Sequence, residues 1–302
     1  MIGLAAAYDA GLARMHARNN RHDNEFVHIG GDMAGLCDRL GWARRRYASA
    51  ALRWDVVTGT WVHPYPDLAL ALPASENIVA MQLGFKAEDL VLHAFMLGLP
   101  DDASLERNVP CALVMTDEGM QGKLFTQDDG HGAAIEYART HKGVAIGHID
   151  ALVTQGNEIV VIDVKSTVWG YSYSSGWKPK YPPKESHILQ VASYAWAVAL
   201  AEPLDTVSAG LWEIDLGGKA SRWLLVDWYD PRMRGQVEQR LCDALAYTHP
   251  ESNGPPPVPN RWTMRDDGSS WACGSIKNGK VQKAYCPLLS CPSHVLSRQD
   301  AI

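Results

Sequence analysis

Long apolar runs are missing from this chain of 302 residues. No stretch approaches the roughly 18 consecutive apolar residues of a helical membrane span. The longest candidate, residues 191–201, is interrupted by Ser193, Tyr194 and Trp196 and reads as a buried helix. An excess of basic charge is missing too: 28 Lys and Arg stand against 34 Asp and Glu, a formal net charge of −6. That excludes a surface coated in positive charge for gripping duplex DNA, but it leaves room for a local basic channel. There is no internal repeat, and no low-complexity tract beyond a Pro-rich linker at 251–260. Residues 1–20 lack the basic-then-apolar layout of a secretory leader and read as an amphipathic helix. The expectation is a soluble cytoplasmic protein with no membrane partner. Cysteine is sparse, six in all, in a chain large enough to fold without staples. Cys111, in an apolar run, and Cys242, near Val237, Leu241 and Leu245, read as small core residues. Cys37, Cys273, Cys286 and Cys291 remain, and clustered thiols in a reducing compartment suggest metal binding more than disulfides.

What is present centres on residues 144–165. Two β-rich runs flank Gly156-Asn157, a dipeptide suited to a two-residue hairpin turn. With those two residues at the turn, Asp150 lies opposite Asp163 and His148 opposite Lys165. Asp163 and Lys165 share a face because side chains alternate along a strand. Directly opposed carboxylates cost up to ~1 kcal/mol, a penalty that a divalent cation between them removes. Lys165 is placed to steady an attacking water or a developing negative charge. The same pattern also fits an exposed hairpin face with scattered charges.

Around this centre the chain reads as follows. Residues 25–53 look helical and locally basic, with Arg39, Arg44, Arg45, Arg46 and Arg53, suited either to phosphates or to a solvated face. Residues 54–80 read as loops with short extended pieces. An amphipathic helix is expected at 76–98, with Glu88 either a buried carboxylate needing a partner or part of a solvent stripe, and His93 pointing elsewhere. Residues 105–140 suggest two or three short strands with polar loops. After the hairpin, Trp169, Tyr171, Tyr173 and Trp177 alternate with Lys178 and other lysines, glycines and prolines. Aromatics interleaved with lysines suit stacking on unpaired bases; a lid or plain surface loop fits as well. Helix 185–201 carries Gln190 and Tyr194 on one face. Strands at 207–216 and 223–229 precede a helix at 231–248 opened by Asp230-Pro231.

Together these pieces resemble the PD-(D/E)XK nuclease superfamily in its RecB-like and Cas4-like branch. Gly84-x-x-x-Glu88 resembles its first motif, Gly147-His148-Ile149-Asp150 its second, Asp163-Val164-Lys165 its third, and Gln190-x-x-x-Tyr194 the helix motif that marks the RecB-like branch. The order of the four, on the expected helix, hairpin and helix, carries the likeness. The resemblance implies an α/β (α+β) restriction-endonuclease-like core with a central mixed sheet flanked by helices. It implies three segments: an N-terminal helical and loop segment (1–80), the nuclease core (81–250), and a linker with a C-terminal cysteine segment (251–302). Glu88, Asp150, Asp163 and the Val164 carbonyl would hold Mg²⁺ or Mn²⁺, with Lys165 orienting water and Gln190 and Tyr194 supporting the site or touching DNA. Cys37, Cys273, Cys286 and Cys291 resemble the ligands of a [4Fe–4S] cluster, with Zn²⁺ as the alternative and His294 a weaker fourth ligand. The twelve residues between Cys273 and Cys286 depart from the family's short spacing, as an inserted loop would.

The implied function is a metal-dependent DNA exonuclease for recombination, repair or phage DNA processing, in the host cytoplasm if phage-encoded. A CRISPR-adaptation nuclease and a non-cleaving Fe–S DNA-binding protein are the alternatives. The implied partners are DNA, as single strands or duplex ends, and a single-strand annealing protein or a recombination or adaptation partner.

Overall fold

The structure is a computed structural model that describes residues 11, 26–34, 37–68, 75–126, 129–167, 171–172, 178–179, 183–202, 206–215, 221–247, 276–277, 280–281 and 291. The elements run β1 (Val27–His28), a π-helical turn (Ile29–Met33), α1 (Asp38–Ser49), β2 (Arg53–Asp55), β3 (Thr60–Val62), a 3-10 turn (Pro66–Leu68) and α2 (Ser75–Gly98). Next come β4 (Ala103–Thr116), β5 (Gly119–Leu124), α3 (Gly130–Thr140), β6 (Val144–Gln155), β7 (Glu158–Thr167), β8 (Tyr171–Ser172) and β9 (Lys178–Pro179). The chain continues through α4 (Glu185–Ala201), β10 (Thr206–Asp215), β11 (Ser221–Leu225), α5 (Pro231–Ala246), β12 (Ile276–Lys277) and β13 (Lys280–Val281).

Seven strands form one mixed sheet in the order β11-β10-β7-β6-β4-β5, with β1 also on β6. β10 runs parallel to β7, and α4 makes the crossover between them. The run Ile159–Val164 is continuously apolar but for Asp163 because the strand is covered on both faces. Ile159 and Val161 pack in the core that contains Val191, Ala195 and Val198 of α4. Ile162 and Val164 pack with Leu92 of α2. α3 covers the same side of the sheet as α2, through Ala134 against Ala112, Val114, Val144 and Ile146.

The β6–β7 register is the expected one, from Gln155↔Glu158 to Ala151↔Ile162. Gly156 takes φ +58° at the turn, a conformation that costs glycine nothing. The ladder then stops. β4 pairs with one edge of β6 on both sides of residue 150, so β7 and β1 share the other edge. β7 holds it up to Ala151, and β1 takes it at Ala145 and Ile146. The sheet therefore forks at Asp150. Asp150 is consequently not a ladder partner of Asp163, nor His148 of Lys165, contrary to the simple hairpin; the His148 ring lies 4.3 Å from that of His131.

A second irregularity sits at the same level. Asn108 falls opposite Asp150 in the β4–β6 register, yet this pair is absent from the ladder and Asn108 has φ +52°. Leu105, before it, joins the α2 cluster, whereas Val109, Cys111 and Leu113 join the α4 cluster. β6 does the same: Ala145 and Ile149 face the α4 cluster, Ala151 and Val153 the α2 cluster. Strict alternation would keep each set on one face, so both strands turn over at this pair.

Three expectations are corrected. The helical reading of 25–53 holds only for α1, since Val27–His28 is a strand and Ile29–Met33 a π-helical turn; two residues filling a vacant sheet edge leave no periodic signal. Residues 130–140 are helical, not strand and loop, with Ala133, Ala134, Ile135, Tyr137 and Ala138 against the sheet. Cys242 is exposed, because it lies a third of a turn from the stripe of Val237, Leu241 and Ala244 that α5 buries. Cys111 is buried as expected. Among the described residues, no helix is long and apolar enough to cross a membrane.

Candidate active site

The site residues come from three elements that meet at the fork. α2 approaches β7 closely because Gly84 has no side chain: a Cβ there would lie 2.7 Å from Ser166 Oγ. One turn later the helix presents Glu88, half-buried. Asp150 stands at the last point of β6–β7 contact, and its Oδ2 accepts the Val164 N–H at 2.7 Å. A side chain thus takes over from a backbone carbonyl where the ladder ends. Asp163 is fully buried, and Lys165 reaches back along the same face to it, Nζ lying 2.8 Å from Oδ1 and 2.7 Å from Oδ2. Oδ2 has no hydrogen bond beyond that ion pair.

The charges act on one another. Burial pushes the Glu88 carboxyl up to about 7, and Asp150 pushes the same way. Burial likewise raises Asp163, with Asp150 and Glu88 adding to it against the pull of Lys165. Burial pulls the Lys165 ammonium down, but Asp163, Asp150 and Glu88 outweigh it and hold its pKa above the ordinary lysine value. Behind β7, Gln190 donates to the Tyr194 hydroxyl at 3.2 Å. Burial, then Asp163, Cys111 and Asp150, keep the Tyr194 phenol protonated. Gly147 lets Tyr194 reach the sheet, since a Cβ there would lie 2.7 Å from Cε1. Gly30 performs the same service for Gln190, whose amide nitrogen would be 3.0 Å from an added Cβ.

Among the described residues, no three or more His, Cys, Asp or Glu side chains form a group that could hold a metal ion as they stand; Lys165 occupies Asp163. The donor set nonetheless suits a hard divalent cation. It offers carboxylate oxygens on acids whose pKa values are raised by burial and by one another, a penalty that a cation among them offsets.

The structure adds residues that the motifs did not single out. His187 shares a stripe of α4 with Gln190 and Tyr194, and its Nδ1 is buried with no hydrogen-bond partner. Burial and the nearby Lys165 and Lys184 hold its pKa down at about 3, so it stays neutral. Its spacing of three before Gln190 was the available signal. Arg107 donates to Asp89 at 2.6 Å, and its charge partly offsets the rise at Glu88. Asn108 carried no sequence signal. His93 is exposed on α2, away from the site as expected.

Of the remaining candidates, Trp169, Tyr173 and Trp177 lie outside the described residues. Tyr171 and Lys178 lie on the β8–β9 ribbon, where Tyr171 pairs with Pro179 and Ser172 with Lys178. Arg39 is on α1, with its side chain outside the described set. Cys37 and Cys291 are buried in one small cluster with Leu40 and Ala43, against Trp42 and Leu68. Cys273, Cys286 and His294 lie outside the described residues, and the β12–β13 ribbon falls within the stretch between those two cysteines. The segment carrying Cys37 is tied to α5 by Arg240, which is fully buried and donates to Met33 O at 2.7 Å, Asp32 O at 2.6 Å and Asp38 Oδ1 at 2.9 Å.

No family model matches the chain, and no curated protein matches it. A comparison with solved structures matches the crystal structure of SSO0001 at a TM-score of 0.41 and 15% identity, over 83% of this chain and 88% of that chain.

Proposed function

We propose that the protein is a metal-dependent deoxyribonuclease, an exonuclease for recombination, repair or phage DNA processing in the cytoplasm. One observation carries the reading. Glu88, Asp150, Asp163 and Lys165, spread over 78 residues of sequence, influence each other's ionisation at the one level where the sheet forks. Where β6 and β7 part, their other neighbours β4 and β10 continue to hold both strands, and with them the acids. Mg²⁺ or Mn²⁺ held by Glu88, Asp150 and Asp163 would supply Lewis acidity toward a phosphoryl oxygen and the attacking water. Lys165 contributes a fixed positive charge beside the scissile phosphate, where negative charge grows during displacement. Val164, its N–H already held by Asp150, keeps β7 in register with the site. Gln190 and Tyr194 brace β6 and the π-helical turn from behind.

Cys37 and Cys291 would share a [4Fe–4S] cluster, or a zinc ion, with Cys273 and Cys286. Their burial in a single cluster supports this, since they stand 254 positions apart. Such a centre would clamp both ends of the chain in a structural role. The Tyr171–Lys178 region, with Arg39, would touch the DNA backbone or unpaired bases.

The test is cleavage of end-labelled single- and double-stranded DNA in Mg²⁺, Mn²⁺ and EDTA. Metal-dependent shortening from an end that is lost in Asp150→Ala and Lys165→Ala is the expected result. Intact DNA under all metals with a folded protein would refute the reading.

A further inference from the structure

The β2–β3 hairpin is built to present apolar surface to solvent. Trp54 and Trp61 face each other across the two strands, edge to face at 5.5 Å, and stay 52% and 63% exposed. At the tip, Val56 and Val57 are 84% and 89% exposed. Two tryptophans in mutual contact and two valines are thus left in water on one short hairpin, and apolar surface gathered in one place marks interaction sites.

The hairpin is also ordered. Asp55 Oδ1 accepts the Val57 N–H at 2.8 Å and the Thr58 N–H at 3.4 Å. Gly59 N–H closes onto Asp55 O at 2.9 Å with φ +64°, and the Thr58 and Thr60 hydroxyls bond at 2.9 Å. At the base, His63 stacks on Tyr47 of α1 with ring centroids 3.7 Å apart, and its Nε2 lies 2.8 Å from the Tyr47 carbonyl. Arg46 donates to the Tyr65 hydroxyl at 3.3 Å. A lone two-stranded ribbon is marginal in water; this one is anchored at its base and held at its turn.

The charge around it narrows the ligand. Residues 37–65 carry five arginines (Arg39, Arg44, Arg45, Arg46, Arg53) against Asp38 and Asp55, in a chain whose net charge is −6. Arg45 is committed to Asp32 at 3.2 Å, whereas Arg53 is exposed on the hairpin itself. Aromatic platforms beside positive charge fit a ligand with planar faces and a negative backbone.

We propose that the β2–β3 hairpin is a stacking platform for an unpaired nucleic-acid strand, with bases against Trp54 and Trp61 and the exposed Arg53 of the same hairpin drawing the phosphates. The choice of ligand rests on the nuclease reading, and the site rests on the hairpin's own geometry. Base faces suit this platform without sequence preference, because every base has one. Paired bases in a duplex hide theirs, so duplex binding gains nothing from the hairpin.

The test is fluorescence anisotropy of a labelled oligothymidylate with the Asp150→Ala protein in EDTA, which removes cutting from the measurement. The W54A/W61A double variant should bind the single strand about ten-fold or more weakly, W54F/W61F should retain most of the affinity, and affinity for a blunt duplex should not change. Binding should weaken steeply with salt. Equal single-strand affinity in the alanine and parent proteins, both folded by circular dichroism, overturns the proposal. So does a change from dimer to monomer in V56K/V57K on sedimentation with DNA binding intact, which would assign the patch to a second copy of the chain. Single-strand binding that depends on the tryptophans, in a parent protein that cuts no DNA, upholds the platform and removes the nuclease reading instead.

Discussion

The Asp150 carboxylate holds the Val164 backbone N–H at 2.7 Å at the point where β6 and β7 part. The residue therefore has two tasks: it ends the ladder without leaving a buried donor orphaned, and in the proposed function its carboxylate also serves the metal. These tasks separate by substitution. Asp150→Asn retains an oxygen for Val164, so it should fold with near-parental stability yet lose metal-dependent cleavage. Asp150→Ala should lose cleavage and also about 1–3 kcal/mol of stability from the unsatisfied N–H. Urea unfolding beside a cleavage assay distinguishes them; equal stability in the two variants would mean that the hydrogen bond contributes little.

Asn108 shares that level of the sheet and turns β4 over with φ +52°. Asn tolerates this region better than most residues, glycine better still. Asn108→Gly should be close to neutral, and Asn108→Val should destabilise by roughly 1–2 kcal/mol or more. If the overturn positions Asp150, the valine variant should also need more Mg²⁺ for half-maximal cleavage while the glycine variant does not. Thermal melts and a metal titration read both effects.

Glu88 has a folded-state pKa raised from 4.5 to about 7 by burial and by Asp150. Below the unfolded value both states carry the proton, and the raised pKa contributes its full stability. That contribution drains away as pH rises through the interval from 4.5 to about 7, because only the folded state resists losing the proton. In EDTA, the melting temperature should fall across this interval, and Glu88→Gln should flatten part of the fall. Mg²⁺ at neutral pH should restore stability, by binding the folded state alone. A melt that is insensitive to Mg²⁺ would argue against a metal at these acids.

Arg240 is fully buried, with Met33, Asp32 and Asp38 as its partners. Arg240→Ala leaves Asp38 and two carbonyls without their donor and should cost about 3–5 kcal/mol. Arg240→Lys should recover only part of this, since an ammonium cannot fork to three acceptors in one plane. Chemical denaturation of both variants measures it.

The cysteines give the last prediction. A shared centre closes a loop of over two hundred residues between Cys37 and Cys291, a constraint on the unfolded chain that grows slowly with loop length. Cys37→Ala and Cys291→Ala should each destabilise the anaerobically purified protein more than Cys111→Ala, whose thiol is buried, or Cys242→Ala, whose thiol is exposed. Iron and sulfide near four per chain would identify a cluster; one zinc and no sulfide would replace it. Neither metal, with Cys37→Ala costing no more than Cys111→Ala, would reduce the pair to core packing.

Local signals were enough for much of this molecule. Helix α4 begins and ends at residues 185 and 201, where the apolar pattern places it. α5 opens with Asp230 accepting the Arg232 N–H, as an Asp-Pro pair implies. The β6–β7 register follows from two turn residues, because a tight hairpin leaves the chain no other pairing. These features depend on neighbours in sequence, so local patterning is enough to specify them. The fork, the overturn at Asn108 and the capture of the β6 edge by β1 depend on partners that lie 40 to over 100 residues away. Two residues of strand or one left-handed asparagine make no periodic pattern, and their conformations are favourable only once the remote edge is in place. Which acids the chain carries was therefore legible in its residues, whereas the tertiary structure alone decided that Asp150 leaves the ladder and turns its carboxylate to Val164.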